Sequence, residues 1–265
     1  MTSIRWLWSA EFGAQKLALL VACMIGCETL VSWLVWRLFH LGTAKGWLSA
    51  AWHSWAGRGV VQIGRLLCYV GVPLGVWMRN EFLLEMGVPT SGRYGGSAFW
   101  YLMGLNQADD MLRLGYGIAL GLVGLVGLAA IWIGYARLVP GIENGPFFSW
   151  WQVLREALFL QVHWAFYRSF AHTLTQDVVY VAFGGLALVM FSWVLNPLWR
   201  ASFHHPGQGY RRVRDWILAT LTAFLSIYVR SLWLLVLLYA AWLWTSDRVL
   251  QAARRRVELV QHKEA

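Results

Sequence analysis

Charge is scarce in this chain: Asp, Glu, Lys and Arg make up 13% of its 265 residues, against 58% apolar residues and a mean hydropathy of +0.50. So little polar surface cannot cover a soluble domain, which excludes the water-soluble globular class. Acidic side chains are scarcer still, 13 against 22 basic ones, for a net charge of +9. Nothing interleaves those basic residues with a nucleic-acid-binding fold, so we read the excess as attraction to a membrane surface and expect no nucleic acid partner. Cysteine is limited to Cys23, Cys27 and Cys68, all in apolar runs, which leaves no disulfide framework. Cys23 and Cys27 stand four residues apart beside Glu28, a spacing that a metal could use. Small apolar packing residues are the preferred reading of that pair, and no metal site is expected. No Pro-rich, Ser-rich or acidic linker interrupts the sequence. The economical division is a single transmembrane helical domain, residues 1–246, and a basic C-terminal tail, residues 247–265.

What the chain does have is long apolar runs. Leu17 to Phe39, Val60 to Met78, Leu114 to Leu138, Phe147 to Phe170, Val178 to Trp199 and Trp216 to Trp244 each approach or exceed the length needed to cross a bilayer, about 20 residues as a helix. Backbone groups in lipid must be satisfied internally, and the alternating pattern of a barrel strand is absent, so each run predicts a helix. The expected fold is an all-α polytopic transmembrane bundle of about six spans. Five is the fallback, because the fourth run is interrupted by polar residues and the sixth is long enough to tilt or project. Arg254, Arg255 and Arg256 follow the last run closely, which predicts a multi-pass cell-membrane protein with a cytoplasmic C-terminus. Leu20-Val21-Ala22-Cys23 matches a lipoprotein cleavage box, but the apolar run continues to Phe39, and no removable signal is expected.

The sequence predicts the lipid bilayer as a partner and one helix face built for association, either with a helix of the same chain or with another membrane protein. Gly117, Gly121, Gly124 and Gly127 recur at steps of four and three. Small residues at that spacing let a second backbone approach where lipid removes the hydrophobic drive between helices. Asp109 and Asp110 lie just ahead of this run and are read as helix-capping groups. The 19 tryptophans suit interfacial anchoring.

Ionisable residues inside apolar runs are expensive, so each is a candidate for pairing or function. Glu28, Arg65 and Arg230 read as structural intramembrane charges, with Glu28 and Arg230 the preferred pair and Glu156 with Arg65 the second. The run from Phe147 to Phe170 is the richest: Gln152, Glu156, His163 and Tyr167 fall on one helical face, with Arg155 and Arg168 nearby. A carboxylate and an imidazole on one stripe are the minimum equipment for acid and base work on water, which makes Glu156, His163 and Arg155 the candidate catalytic set. Haem ligation by His163 would use the same residue, but no second ligand is evident, and the cofactor is left open.

Arg155-Glu156 followed by Phe159-x-x-x-His163 resembles fragments of the CAAX protease and bacteriocin-processing family, whose signatures are a Glu-Glu-x-x-x-Arg run and a Phe-x-x-x-His run. Here Glu156 stands singly, Leu160 occupies the place of the family's arginine, and both fragments lie on one helix. The resemblance implies a membrane-embedded peptidase in which Glu156 and His163 activate a water and Arg155 or Arg168 orients substrate. Against it we set a non-catalytic subunit or scaffold of a membrane assembly, which we favour from the sequence, with the Gly face and basic tail serving association and anchoring. A proton-coupled transporter using Glu28 and Glu156 is the third alternative.

Overall fold

The computed structural model describes residues 14–40, 54–77, 108–138, 149–175, 177–203, 206–229 and 231–264. Among them every regular element is a helix. We number these α1 (Ala14–His40), α2 (Trp55–Leu66, resuming at Val72–Trp77), α3 (Ala108–Leu138), α4 (Trp150–Leu174), α5 (Val178–Leu195), α6 (Pro197–Phe203), α7 (Pro206–Tyr228) and α8 (Leu232–Glu264). Among the described residues four stretches are long and apolar enough to cross a membrane: Gln15–Leu38, Trp55–Val76, Gly115–Tyr135 and Val178–Leu195. The helical bundle expected from the sequence is therefore present, with fewer such helices than the six runs suggested. The chain divides into two compact units. The first holds α1, α2, α4 from Val162 onward, α5 and α6; the second holds α3, α4 up to Gln161, α7 and α8.

In the first unit, α1 buries Leu17, Val21, Met24 and Ile25 on one stripe. Leu30, Val31, Trp33 and Leu34 lie exposed, an arrangement suited to lipid and costly in water. Helix α2 departs from regular geometry at Leu67–Gly71, where it forms a π turn in which the Val72 N–H donates to the Leu67 carbonyl. The physical reason is Pro73. Its ring removes one amide donor and clashes with the carbonyl four residues earlier, that of Tyr69, so the ladder widens by one residue just before it. Helix α5 starts on Asp177, whose Oδ1 accepts from the Val179 and Tyr180 N–H groups at 2.8 and 3.3 Å. This aspartate is therefore an N-cap. The Val178 to Trp199 run ends as a helix at Leu195 because extended Asn196 precedes Pro197; the Asn196 side chain accepts from the Trp199 N–H at 3.1 Å and opens α6.

The first unit is closed around the C-terminal part of α4. Residues 162–169 are buried on every side of that helix. On α5, a Cβ added at Gly185 would lie 2.6 Å from Arg168 Cγ and 3.3 Å from the Arg168 backbone, and one at Gly184 would lie 3.1 Å from the Ala171 Cβ. The Gly184-Gly185 pair is what allows α4 and α5 to approach so closely. Trp164, Trp193, Trp199 and Phe203 form a chain of ring contacts from α4 across α5 to α6, with the Trp193–Trp199 pair stacked at 5.3 Å.

In the second unit, α3 packs antiparallel to α7 and beside α8. The spaced glycines explain the contact: Gly117 faces Val229 and Leu225, Gly124 faces Leu221, and Gly121 faces the Trp242 ring. The Trp242 indole N–H donates to the Gly121 carbonyl at 3.1 Å, so the ring is held as well as accommodated. Gly127, by contrast, has open space around it. The face that Gly117, Gly121 and Gly124 open is thus filled from within the chain. Asp109 and Asp110 lie in the first turn of α3, which begins at Ala108, and their side chains are outside the described set.

The run Trp216 to Trp244, read from the sequence as one span, is two helices. Tyr228 ends α7, and α8 begins at Leu232, with the Ser231 hydroxyl accepting the Leu234 N–H at 3.3 Å as an N-cap. The two helices form a hairpin tied at its far end by Arg214 of α7, which donates to Asp247 of α8 and lies 3.3 Å from Asp215. Burial pushes the Asp215 carboxyl up from the ordinary range, while Arg214 and Arg212 draw it back down. Residues of the expected tail continue α8 as helix as far as Glu264. Helix α4 starts with a capping box, in which the Ser149 N–H donates to Gln152 Oε1 at 2.8 Å and the Gln152 N–H approaches Ser149 Oγ at 3.4 Å.

Candidate functional site

The first unit holds a polar centre built from three helices. Glu28 on α1 sits with its carboxylate 3.6 Å from His163 Nε2 on α4. Tyr69, from the π turn of α2, is hydrogen-bonded to Glu28, and its ring lies 4.4 Å from the imidazole. Tyr167, one turn beyond His163 on α4, contacts the imidazole at 4.5 Å. Arg65, one turn before Tyr69, places its guanidinium 5.6 Å from the centre of the Tyr69 ring and interacts electrostatically with Glu28.

Local structure explains each position. In an uninterrupted α-helix, Arg65 and Tyr69 would share one face, whereas the π turn inserts a residue and re-aims the side chains beyond it. His163 and Tyr167 are four apart on the buried segment of α4, so their rings meet, tilted by 60° to one another. His163 is 3% exposed and Glu28 about one-fifth exposed. The carboxylate is therefore the edge of the centre and the imidazole its interior. His163 Nδ1 has no hydrogen-bond partner among the described residues. On the far side, the Tyr167 hydroxyl faces Ser192 of α5, whose own hydroxyl donates to the Val189 carbonyl at 2.8 Å.

The residues singled out from the sequence fall in different places. His163 is in this centre, and so are Glu28 and Arg65. Glu156 lies seven residues before His163 on α4 and pairs with the adjacent Arg155 at 3.5 Å. Gln152 completes the capping box at the start of the helix. For Glu28 the structure brings His163, Tyr69 and Arg65 together; Arg230, its expected partner, lies outside the described residues. Cys23, Cys27 and Cys68 are free and exposed. Among the described residues no group of three or more His, Cys, Asp or Glu side chains is placed to hold a metal ion.

Tyr69 was not singled out from the sequence, although a signal was present: a proline four residues after a tyrosine in an apolar run marks where the helix must deform. Gln161, fully buried with neither amide atom hydrogen-bonded among the described residues, is a second polar residue that sequence reasoning passed over. Comparison with protein-family models, characterised proteins and solved structures finds no match to this chain.

Proposed function

We propose that this chain is a multi-pass membrane protein that serves as a non-catalytic subunit or scaffold of a membrane assembly, with its C-terminal tail on the cytoplasmic side. The observation that carries this reading is the enclosure of His163 within the first unit by Tyr69, Tyr167 and Glu28. Glu156 pairs with Arg155 of its own helix. An acid-base pair acting on a bound water needs both groups within hydrogen-bond reach of one atom. Polar side chains buried against other helices instead fix helix register. Because the Gly117, Gly121 and Gly124 face is occupied by α7 and α8, a partner protein meets another apolar surface, such as Leu122, Val123 and Val126 of α3, all more than half exposed.

One observation favours a second reading, the intramembrane hydrolase: Glu28 supplies His163 with a carboxylate at 3.6 Å. The test is purification in mild detergent, followed by identification of co-purifying membrane proteins and assay against membrane-proximal peptides. The subunit reading predicts a stoichiometric membrane-protein partner and no hydrolysis. Hydrolysis lost in Glu28→Gln or Glu156→Gln, with folding retained, would replace it with the hydrolase.

A further inference from the structure

We propose that the Glu28–His163 pair is a proton-binding site, in which Glu28 takes up the proton and the imidazole facing it sets how readily it does so. This goes beyond the subunit reading and does not depend on the chain having a partner.

The starting point is a carboxylate oxygen 3.6 Å from the Nε2 of a buried imidazole. Two acceptor lone pairs facing each other repel, so His163 carries its proton on Nε2 while Glu28 is ionised, and a protonated Glu28 can instead donate to a bare Nε2. Protonation of Glu28 and the tautomer of His163 are thereby linked. Size then selects the ligand. The imidazole is packed against the Tyr69 and Tyr167 rings at 4.4 and 4.5 Å, and a proton is the ligand that needs no cavity. Access comes from the Glu28 side, the partly exposed edge of the centre.

The groups facing the pair set its balance. From α2 come Arg65, Cys68 and Tyr69, and from α4 comes Tyr167. Arg168 of α4 turns instead toward Gly185 of α5. Arg65 is thus the one permanent cation that the described residues direct at Glu28. Protonating the pair removes the negative charge that Arg65 interacts with, and it changes what the Tyr69 hydroxyl donates to. Both residues flank or occupy the widened turn ahead of Pro73, where the helix has already given up regular hydrogen bonding. A proton arriving at Glu28 is therefore felt by α1, α2 and α4 together.

The experiment is infrared difference spectroscopy of the full-length protein in lipid nanodiscs, titrated from about pH 9 to about pH 6, above the range in which ordinary carboxyl groups take up a proton. A band from a protonated carboxylic acid should grow on acidification, vanish in Glu28→Gln and survive in Glu156→Gln. In His163→Gln its midpoint should move by about one pH unit or more. Survival of the band in Glu28→Gln, or an unmoved midpoint in His163→Gln, overturns the proposal. If either variant does not fold, wild type carrying ¹³C in its glutamate carboxyl groups keeps the proposal exposed to failure. Absence of an isotope-shifted protonated glutamate band over that range then overturns it without any substitution.

Discussion

Glu28→Leu is expected to lower the stability of the protein in detergent by about 1–3 kcal/mol, read as an earlier transition in denaturant or heat. The substitution removes the acceptor for the Tyr69 hydroxyl, the partner of Arg65 and the group facing His163 Nε2 in one step. His163, 3% exposed, is then left with polar atoms that neither water nor a neighbour satisfies. The loss stays below the roughly 3–5 kcal/mol typical of breaking a fully buried ion pair, because Glu28 itself is partly exposed. Glu28→Gln should cost less than half as much, since the amide oxygen still accepts from Tyr69. Equal losses for Leu and Gln would mean that the side chain acts through its volume rather than its oxygens.

Gly185→Val is the second large effect. The first atom of the new side chain would meet Arg168 Cγ at 2.6 Å, and that side chain can swing aside; it would also meet the Arg168 N and Cα at 3.3 Å, and those cannot move without displacing α4. The two added methyl groups worsen the overlap. Overpacking of this kind costs about 1–3 kcal/mol, and here it separates the two helices that carry His163 and Ser192. Gly127→Ala on α3, where a Cβ meets nothing within 4 Å, is the matched control and should stay within about 0.5 kcal/mol of wild type. Comparable losses at the two sites would show that helix propensity, rather than the α4–α5 contact, decides the outcome.

The helical class was legible because composition and run length leave few alternatives for a chain this apolar. The glycine face of α3 was legible too, since its spacing appears in the sequence whatever helix fills it. Breaks inside apolar runs were harder to read. Val229-Arg230-Ser231 looks like a polar interruption of one long span, and only the Ser231 cap reveals a second helix starting there. The polar centre was half legible. His163 stood out because a histidine in an apolar run is rare, but its carboxylate was sought on the same helix, where spacing can be counted. Glu28 lies 135 positions earlier in the chain, and no periodicity reports which helices become neighbours. Tyr69 depended on a further step, the deformation of α2 ahead of Pro73.

The central claim is that His163 works with Glu28 rather than with Glu156. A pair of double-mutant cycles on folded stability, Glu28→Leu with His163→Leu and Glu156→Leu with His163→Leu, tests it most directly. The account predicts a coupling of about 0.5–3 kcal/mol in the first cycle, with the double variant recovering part of each single loss, and additivity within about 0.5 kcal/mol in the second. Coupling between Glu156 and His163 together with strict additivity between Glu28 and His163 would contradict it.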